Sequence, residues 1–523
     1  MKKNGIVGSS LAVLCLTGLV HAIDVDNPPE GLFSDEWYVL LLDGNKSGHM
    51  HATMERRSRD GEDIIVVKTS MQLVVGRTDT QISISFDQSS EETLDGKPLR
   101  FEHRMQLGKL PMTTRGRIRN GKVTITTYQF GLPTGTKTHN LPDGALMAWG
   151  TYREQIKKGL QPGLKYELSV YEPSIAPDRL TRTTMEVFEP EELDLFGRKV
   201  IAYRTRQTAH LKNSFTGSET GVETITWMTD AGTAVKMQMS VPPIDMPFEV
   251  IACTKAVALA PNEPAELMLG TLIPAGRELD SSARSITYRL ISKGSGESKL
   301  VLPETAMQKI IENNNGAVTL KLTRQSARRA TPSPMTNAAD AGNAALTDED
   351  LKPYLEPSAD LNYKDPVVAE LAKKAAGGEK DPWKLTERLC NFVHEYIETK
   401  NLSVGFASAS EVARSKEGDC TEHGILLAAL GRACGIPTRI VTGIVYTDEF
   451  SGRRDVFVGH LWTQFYLDGE WVDVDSAFGQ TDVDPTHIAL GVSAAGDSGL
   501  ADLVTSGWLG LSKVGLKVLE VEE

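Results

Sequence analysis

Cysteine is scarce here: five in 523 residues, one of them inside the first apolar run. Four thiols in a mature chain this long cannot be a disulfide scaffold. Positive charge is also in short supply. Lys and Arg number 56 against 69 Asp and Glu, a net charge of -13, which excludes the basic footprint of a nucleic-acid binder. No stretch after residue 22 reaches the roughly 18 apolar residues of a membrane span. No internal repeat runs along the chain, and no two cysteine or histidine pairs stand together at metal-ligand spacing. Apolar residues at 40% and charged residues at 24% are ordinary for folded protein. The length exceeds what a single core organises and implies several domains.

The first 22 residues read as an export signal. Lys2 and Lys3 precede an apolar stretch, Ile6 to Val20, and Val20-His21-Ala22 is a small-residue cleavage site. Cys15 follows Leu14, not the small residue of a lipid-anchor signal. The mature chain is expected to be soluble and exported, in the periplasm or outside a bacterial cell. That compartment permits a disulfide, and Cys390 with Cys434 is the pair to inspect, though two separate buried thiols is the simpler reading.

Residues 23–254 read as a β-rich domain. Ile82, Ile84 and Phe86 alternate with Ser83 and Ser85, the period of a half-buried strand. Asn120-Gly121 and Asp230-Ala231-Gly232 lie between apolar alternating runs and predict hairpins. One helix is expected near Gly144 to Lys158. Long strands with short polar turns suggest a large curved sheet or partial barrel, with a supporting role. Residues 255–325 read as a second, small β domain, from the alternation at Ser285 to Ile291 and Val318 to Leu322. Residues 326–350 contain few large apolar side chains and are expected to be a flexible linker.

Residues 351–523 hold the chemistry. Asp381-Pro382-Trp383 is a helix start. Gly418-Asp419 delivers Cys420 to the start of an apolar helical run that Gly435-Ile436-Pro437 ends. Forty residues later comes His460, on a strand that alternates through Tyr466, and fifteen after that comes Asp475, on the next strand past the Asp468-Gly469 turn. A helix N-terminus and a nearby imidazolium both favour the nucleophilic thiolate. Cys420 has the first by position, and His460 can supply the second. Asp475 can fix the histidine tautomer. Side-chain alternation puts His460, Trp462 and Gln464 on one face, so Trp462 and Gln464 are candidates for lining the cleft. His423 is one helical turn beyond Cys420 and is an alternative base or a packing residue. His487, after Asp484-Pro485-Thr486, is another candidate for the cleft.

These residues carry a resemblance. Gly418-Asp419-Cys420-Thr421-Glu422-His423, Arg432-Ala433-Cys434-Gly435-Ile436-Pro437-Thr438-Arg439, His460-Leu461-Trp462 and Asp468-Gly469-Glu470-Trp471-Val472-Asp473-Val474-Asp475 resemble the transglutaminase-like superfamily. The resemblance implies an α+β multidomain chain: N-terminal antiparallel β regions, then a C-terminal α+β domain of papain-like fold. It places the nucleophile on Cys420, the base on His460 and the aspartate on Asp475. It implies acyl transfer through a thioester, with hydrolysis giving a peptidase or amidase and aminolysis a crosslinking transglutaminase. A binding or scaffold protein that keeps the fold is the reading from another class. The chain departs from the family where Gln464 replaces an acidic residue, Asp473 replaces proline, and Ser476-Ala477 replace proline-threonine.

No cofactor or metal is called for. Cys420 and His423 would be half a zinc site without a second pair. Asp473-Val474-Asp475 opens like a calcium loop, but Ala477 and Phe478 stand where a ligand and a glycine are needed. The expected partner is a protein or peptide substrate. Oligomeric state is not legible.

Overall fold

Turn chemistry builds the N-terminal part. Asn120 and Gly121 both take positive φ, 50° and 68°, as a two-residue hairpin turn requires. They join strands Leu110–Arg119 and Lys122–Gln129. The computed structural model describes residues 23–523 apart from 78–79, 108–109, 130, 174–177, 213–218, 242–245, 267–268, 293–301, 315, 325, 327–345, 401–406 and 496–513. The expected export signal and most of the expected linker lie outside the described residues. The chain is an α+β protein of two compact units, Met1–Glu266 and Leu267–Glu523.

The first unit is one antiparallel sheet of fourteen strands among the described residues. Two meanders compose it, one of the first eight strands and one of the remaining six. They join where Gly31–Leu42 pairs with Met246–Cys253. Helix Ala148–Lys158, expected from sequence, connects the meanders along the chain. Its first turn is fastened to the sheet by Glu92, which accepts the Trp149 and Gly150 N–H groups, each at 2.8 Å. Burial pushes that carboxyl up to about 7 against these bonds. Residues just beyond Cys253 belong to this unit rather than to the next. Lys46 Nζ donates to Asn262 Oδ1 at 2.8 Å, and Gly76 N–H to the Ala265 carbonyl at 2.8 Å.

In the second unit a five-stranded sheet and a four-stranded sheet share one core. Strands Ser285–Ser292 and Ala317–Thr323, expected as part of a separate small domain, pair with each other. Their inner side chains, among them Ile286, Leu290 and Leu320, pack in one cluster with Ile444, Phe457 and Ile488 of the larger sheet. The C-terminal strand Val514–Glu522 completes the small sheet by pairing with Ser285–Ser292. A two-layer arrangement of this kind lets each sheet bury the face it could not bury alone. Helix Pro382–Tyr396 starts at Asp381, whose carboxylate accepts the Trp383 and Lys384 N–H groups. Within 346–350, the last residues of the expected linker, Thr347 and Asp350 form a capping box for helix Asp348–Leu351.

Candidate active site

The cysteine helix, Cys420–Ala433, starts at a turn built for it. Gly418 has φ +155°, and a Cβ there would lie 2.2 Å from Glu422 Cβ. Asp419 caps the helix by accepting the Thr421 N–H, and Glu422 reaches back to the Asp419 N–H at 2.9 Å. The other Glu422 oxygen accepts the Ala407 N–H at 3.0 Å. Burial, then the neighbouring Asp419 charge, pushes the Glu422 carboxyl well up. The helix is buried from Thr421 through Arg432. A helix buried all round belongs in an interior, and only its two end residues, Cys420 and Ala433, are partly exposed.

The histidine strand, Arg453–Leu467, pairs with Thr438–Phe450, placing Gly443 opposite His460. His460 is 4% exposed and its Nε2 lies 2.7 Å from Asp475 Oδ2. Cys420 is the other polar neighbour that bears on the ring. With Nε2 committed to the carboxylate, Nδ1 is the ring atom left for the sulfur. Burial works to lower the His460 pKa, but the Asp475 carboxylate and the Cys420 sulfur outweigh it and raise it to about 9. Asp475 is 1% exposed and is held far below the usual carboxylate range: burial opposes, and His460 and His487 prevail. Its Oδ1 accepts the Ala477 and Phe478 N–H groups at 2.8 and 3.3 Å. The structure thus brings Cys420, His460 and Asp475 into one thiol–imidazole–carboxylate line.

The other candidates have different places. Trp462 is buried, donates Nε1 to Asp473 Oδ1 at 2.7 Å and stands 6.0 Å from the His460 ring. Gln464 has no exposed surface; Nε2 donates to Asp473 Oδ1 at 2.7 Å and Oε1 accepts from Arg439 at 2.6 Å. It shares a face with His460, but at Gln464 that face is covered by Arg439 and Asp473. Gln464 and Asp473 are partners in the strand register, so the two departures from the family pattern are one hydrogen-bonded pair. His423 donates Nδ1–H to the Asp419 carbonyl at 2.6 Å, and burial lowers its pKa. It is a neutral helix-start residue, and the place beside the thiol belongs to His460. His487 is also buried, at 2% exposure, and its Nε2 meets Asp475 Oδ2 at 3.2 Å. Rather than lining an opening, it stands behind the carboxylate.

Sequence reasoning passed over Phe478. Its ring stacks on His460 at 4.9 Å and 19°, while 46% of the residue stays exposed. Its place three residues after Asp475, in a tight turn closed by the Asp475–Gln480 pairing, was the available signal. His460, Asp475 and His487 also offer three donor atoms within 4.8 Å of one another. Both imidazole Nε2 atoms already face Asp475 Oδ2, so the trio is occupied as a hydrogen-bonded set.

The thiols differ in a way that can be measured. Burial pushes Cys253 up to about 11 and Cys390 up to about 12, and it raises Cys434 as well. Cys390 and Cys434 are both free thiols. At pH 7 iodoacetamide is expected to label Cys420 ahead of the other three, as mapped by peptide mass. His460→Ala is expected to slow that labelling at least about tenfold, since an adjacent imidazolium favours the thiolate. Equal labelling of all four would count against the pairing.

Residues 369–476 match the family model of the transglutaminase-like superfamily, a span that holds Cys420, His460 and Asp475. A protein of Haemophilus influenzae whose role is uncharacterised is 29% identical over 149 residues, 24% of this chain and 40% of that protein. The match therefore spans less than half of that relative. Among solved structures, a candidate cysteine protease from Cytophaga hutchinsonii is similar at 15% identity and a TM-score of 0.27, over 46% of this chain and 86% of that one. A candidate protease from Parabacteroides distasonis is similar at 10% identity and a TM-score of 0.19, over 72% and 64%.

Proposed function

We propose that the transglutaminase-like domain of this chain, residues 369–476, is an exported cysteine enzyme that cleaves amide bonds in a protein or peptide. One observation carries the reading: the His460 imidazole bonds the buried Asp475 carboxylate at 2.7 Å while the Cys420 sulfur bears on the same ring. A thiol that served only packing would not need an oriented base.

The Cys420 thiolate attacks the amide carbonyl carbon, and the carbonyl electron pair moves onto oxygen. The Cys420 N–H, first in its helix, is the natural donor to that oxyanion. When the tetrahedral adduct collapses, the C–N bond breaks and His460 gives its proton to the departing nitrogen. An acyl thioester on Cys420 remains. Neutral His460 then takes a proton from water as the water oxygen attacks, and the carboxylic product leaves with the thiol regenerated. Asp475 keeps the imidazole in the tautomer and orientation both steps use. The basic-then-apolar opening, Lys2 to Val20, supports the exported address.

The test is incubation of the full mature chain with a peptide mixture, reading new termini and released ammonia by mass spectrometry and enzymatic assay. Cleavage that Cys420→Ala abolishes is the expected result. If an added primary amine is incorporated in preference to water, the domain is a transglutaminase. If Cys420→Ala matches the parent in every readout, the peptidase reading fails.

A further inference from the structure

Two imidazoles share the carboxylate of Asp475, and only one of them touches the thiol. His460 and His487 both direct Nε2 at the same atom, Asp475 Oδ2, at 2.7 and 3.2 Å. The second ring nitrogen of His487 meets only acceptors. Its Nδ1 lies 3.3 Å from the Asp484 carbonyl oxygen and 3.4 Å from Asp484 Oδ1. Asp484 is committed as an acceptor in turn. Oδ1 takes the Thr486 N–H at 2.8 Å and the Thr486 hydroxyl at 2.5 Å, and Oδ2 takes Gln480 Nε2 at 2.9 Å. Neutral imidazole has one donor and one acceptor nitrogen. Either neutral tautomer of His487 would turn a lone pair toward oxygen lone pairs in a buried site. Only the doubly protonated ring satisfies every neighbour.

We infer that His487 is a fixed imidazolium which positions Asp475 and tempers the proton affinity of His460. This deepens the reading of Cys420, His460 and Asp475 as the reacting set and rests on it. The groups facing His487 are Asp475 and Asp484 by hydrogen bond, His460 at 5.7 Å between ring centroids, and Asp473, which feels its charge. Trp462 and Phe478 close the remaining sides at 5.4 and 5.9 Å. Burial would lower the His487 pKa, and the two carboxylates instead raise it to about 9.

The consequence is chemical. Asp475 alone would make His460 a strong base, good at holding a proton and poor at handing it to a leaving nitrogen. A second cation on the same carboxylate takes up part of its charge and repels a proton from His460. The chain geometry serves this: the turn from Asp475 to Gln480 brings strand His487–Ser493 back beside Thr438–Phe450. Gly443 then lies opposite His460 on one side and Ala489 on the other. A Cβ at Gly443 would sit 2.1 Å from the Ile488 carbonyl and 2.7 Å from the Trp462 ring, so a side chain there would push the two histidine strands apart.

The experiment uses the full chain with ¹⁵N-labelled histidine, in a Cys420→Ala background and in the parent, with ring nitrogens followed from about pH 5 to about 12. In the parent the His460 and His487 rings are both expected to be doubly protonated at pH 7.5, and in His487→Gln the signals of one of them are expected to be absent. The His460 titration is expected to move up by about two pH units in His487→Gln, the size for unit charges ~6 Å apart at an effective dielectric of ~20. Should His487→Gln fail to fold, Asp484→Asn is the second variant. It weakens the hold on the His487 proton and is expected to move His460 the same way. A neutral His487 ring at pH 7.5, or a His460 titration that stays put in both variants, overturns the inference. No substrate is involved, so a failed turnover test leaves this result intact, and the reverse also holds.

Discussion

Asp475→Asn is expected to lower kcat by about three to four orders of magnitude, with a small change in KM. The carboxylate accepts on both oxygens. Oδ2 faces His460 and His487, and Oδ1 faces the Ala477 and Phe478 N–H groups. An asparagine must turn its NH₂ toward one of these donor pairs, and neither accepts unless an imidazole changes its proton position. If it faces the imidazoles, His460 loses its proton at Nε2 and carries it at Nδ1, toward the sulfur. That tautomer cannot accept the thiol proton. If it faces the backbone, two N–H groups in the turn lose their acceptor, at about 1–3 kcal/mol each. His487 also loses one of its two carboxylates. The variant should therefore melt lower as well as turn over slowly. Steady-state kinetics with thermal melting checks both, and a loss below tenfold would show that Asp475 does not set the tautomer. Before a substrate is known, the rate of Cys420 alkylation serves as the kinetic readout.

What the sequence disclosed about this site follows from the range over which each constraint acts. Cys420, His460 and Asp475 were legible because each sits at a position local rules define: a capped helix start, an alternating strand, and the strand after a tight turn. The pairing of Gln464 with Asp473 crosses two strands joined by Asp468-Gly469, and alternation alone put Gln464 on the cleft face. Parity gives the face but not what covers it. The role of His487 depends on the chain doubling back through the Asp475–Gln480 pairing, which no periodic pattern announces. The same holds for the fold. The hairpins at Asn120-Gly121 and Asp230-Ala231-Gly232 are read from a few residues, and both form. Ser285 to Ile291 was read as a strand for the same reason. Its partner Val514–Glu522 stands more than 200 residues away, and its core neighbours Ile444 and Phe457 are nearly as remote. Core membership is a long-range property, so strands were found and their unit was not.

The largest effect on stability is expected at a residue that touches no reacting atom. Arg432, in the last turn of the cysteine helix, is 3% exposed. Nη1 donates to the Glu356 carbonyl at 2.6 Å, and Nη2 to the carbonyls of Thr438 and Ala494 at 2.9 and 2.6 Å. Nε reaches the Thr438 hydroxyl at 3.3 Å. All four acceptors are neutral oxygens. Burial lowers its pKa to about 10, still above neutral pH, so a full charge is solvated here by backbone dipoles and by the C-terminal end of its own helix. Arg432→Met keeps the volume and strands the buried Thr438 carbonyl together with the partly buried bonds to Glu356 and Ala494, at about 2–4 kcal/mol in all once partial relaxation is allowed. Arg432→Lys should recover only part, because an ammonium has no planar fork to reach three separated carbonyls. A chain of two units need not unfold in one step, so the transition to follow in urea is the one that exposes the buried Cys390 to a thiol reagent. A midpoint unchanged in Arg432→Met would mean that water replaces the guanidinium without cost. The expected drop in midpoint has a functional counterpart. Arg432 ties the segment before the helices, the start of strand Thr438–Phe450 and the end of strand His487–Ser493 to the helix that carries Cys420. Loosening that joint lets the cysteine helix shift against the strand that carries His460, and a thiol–imidazole contact made by two elements cannot survive their sliding apart.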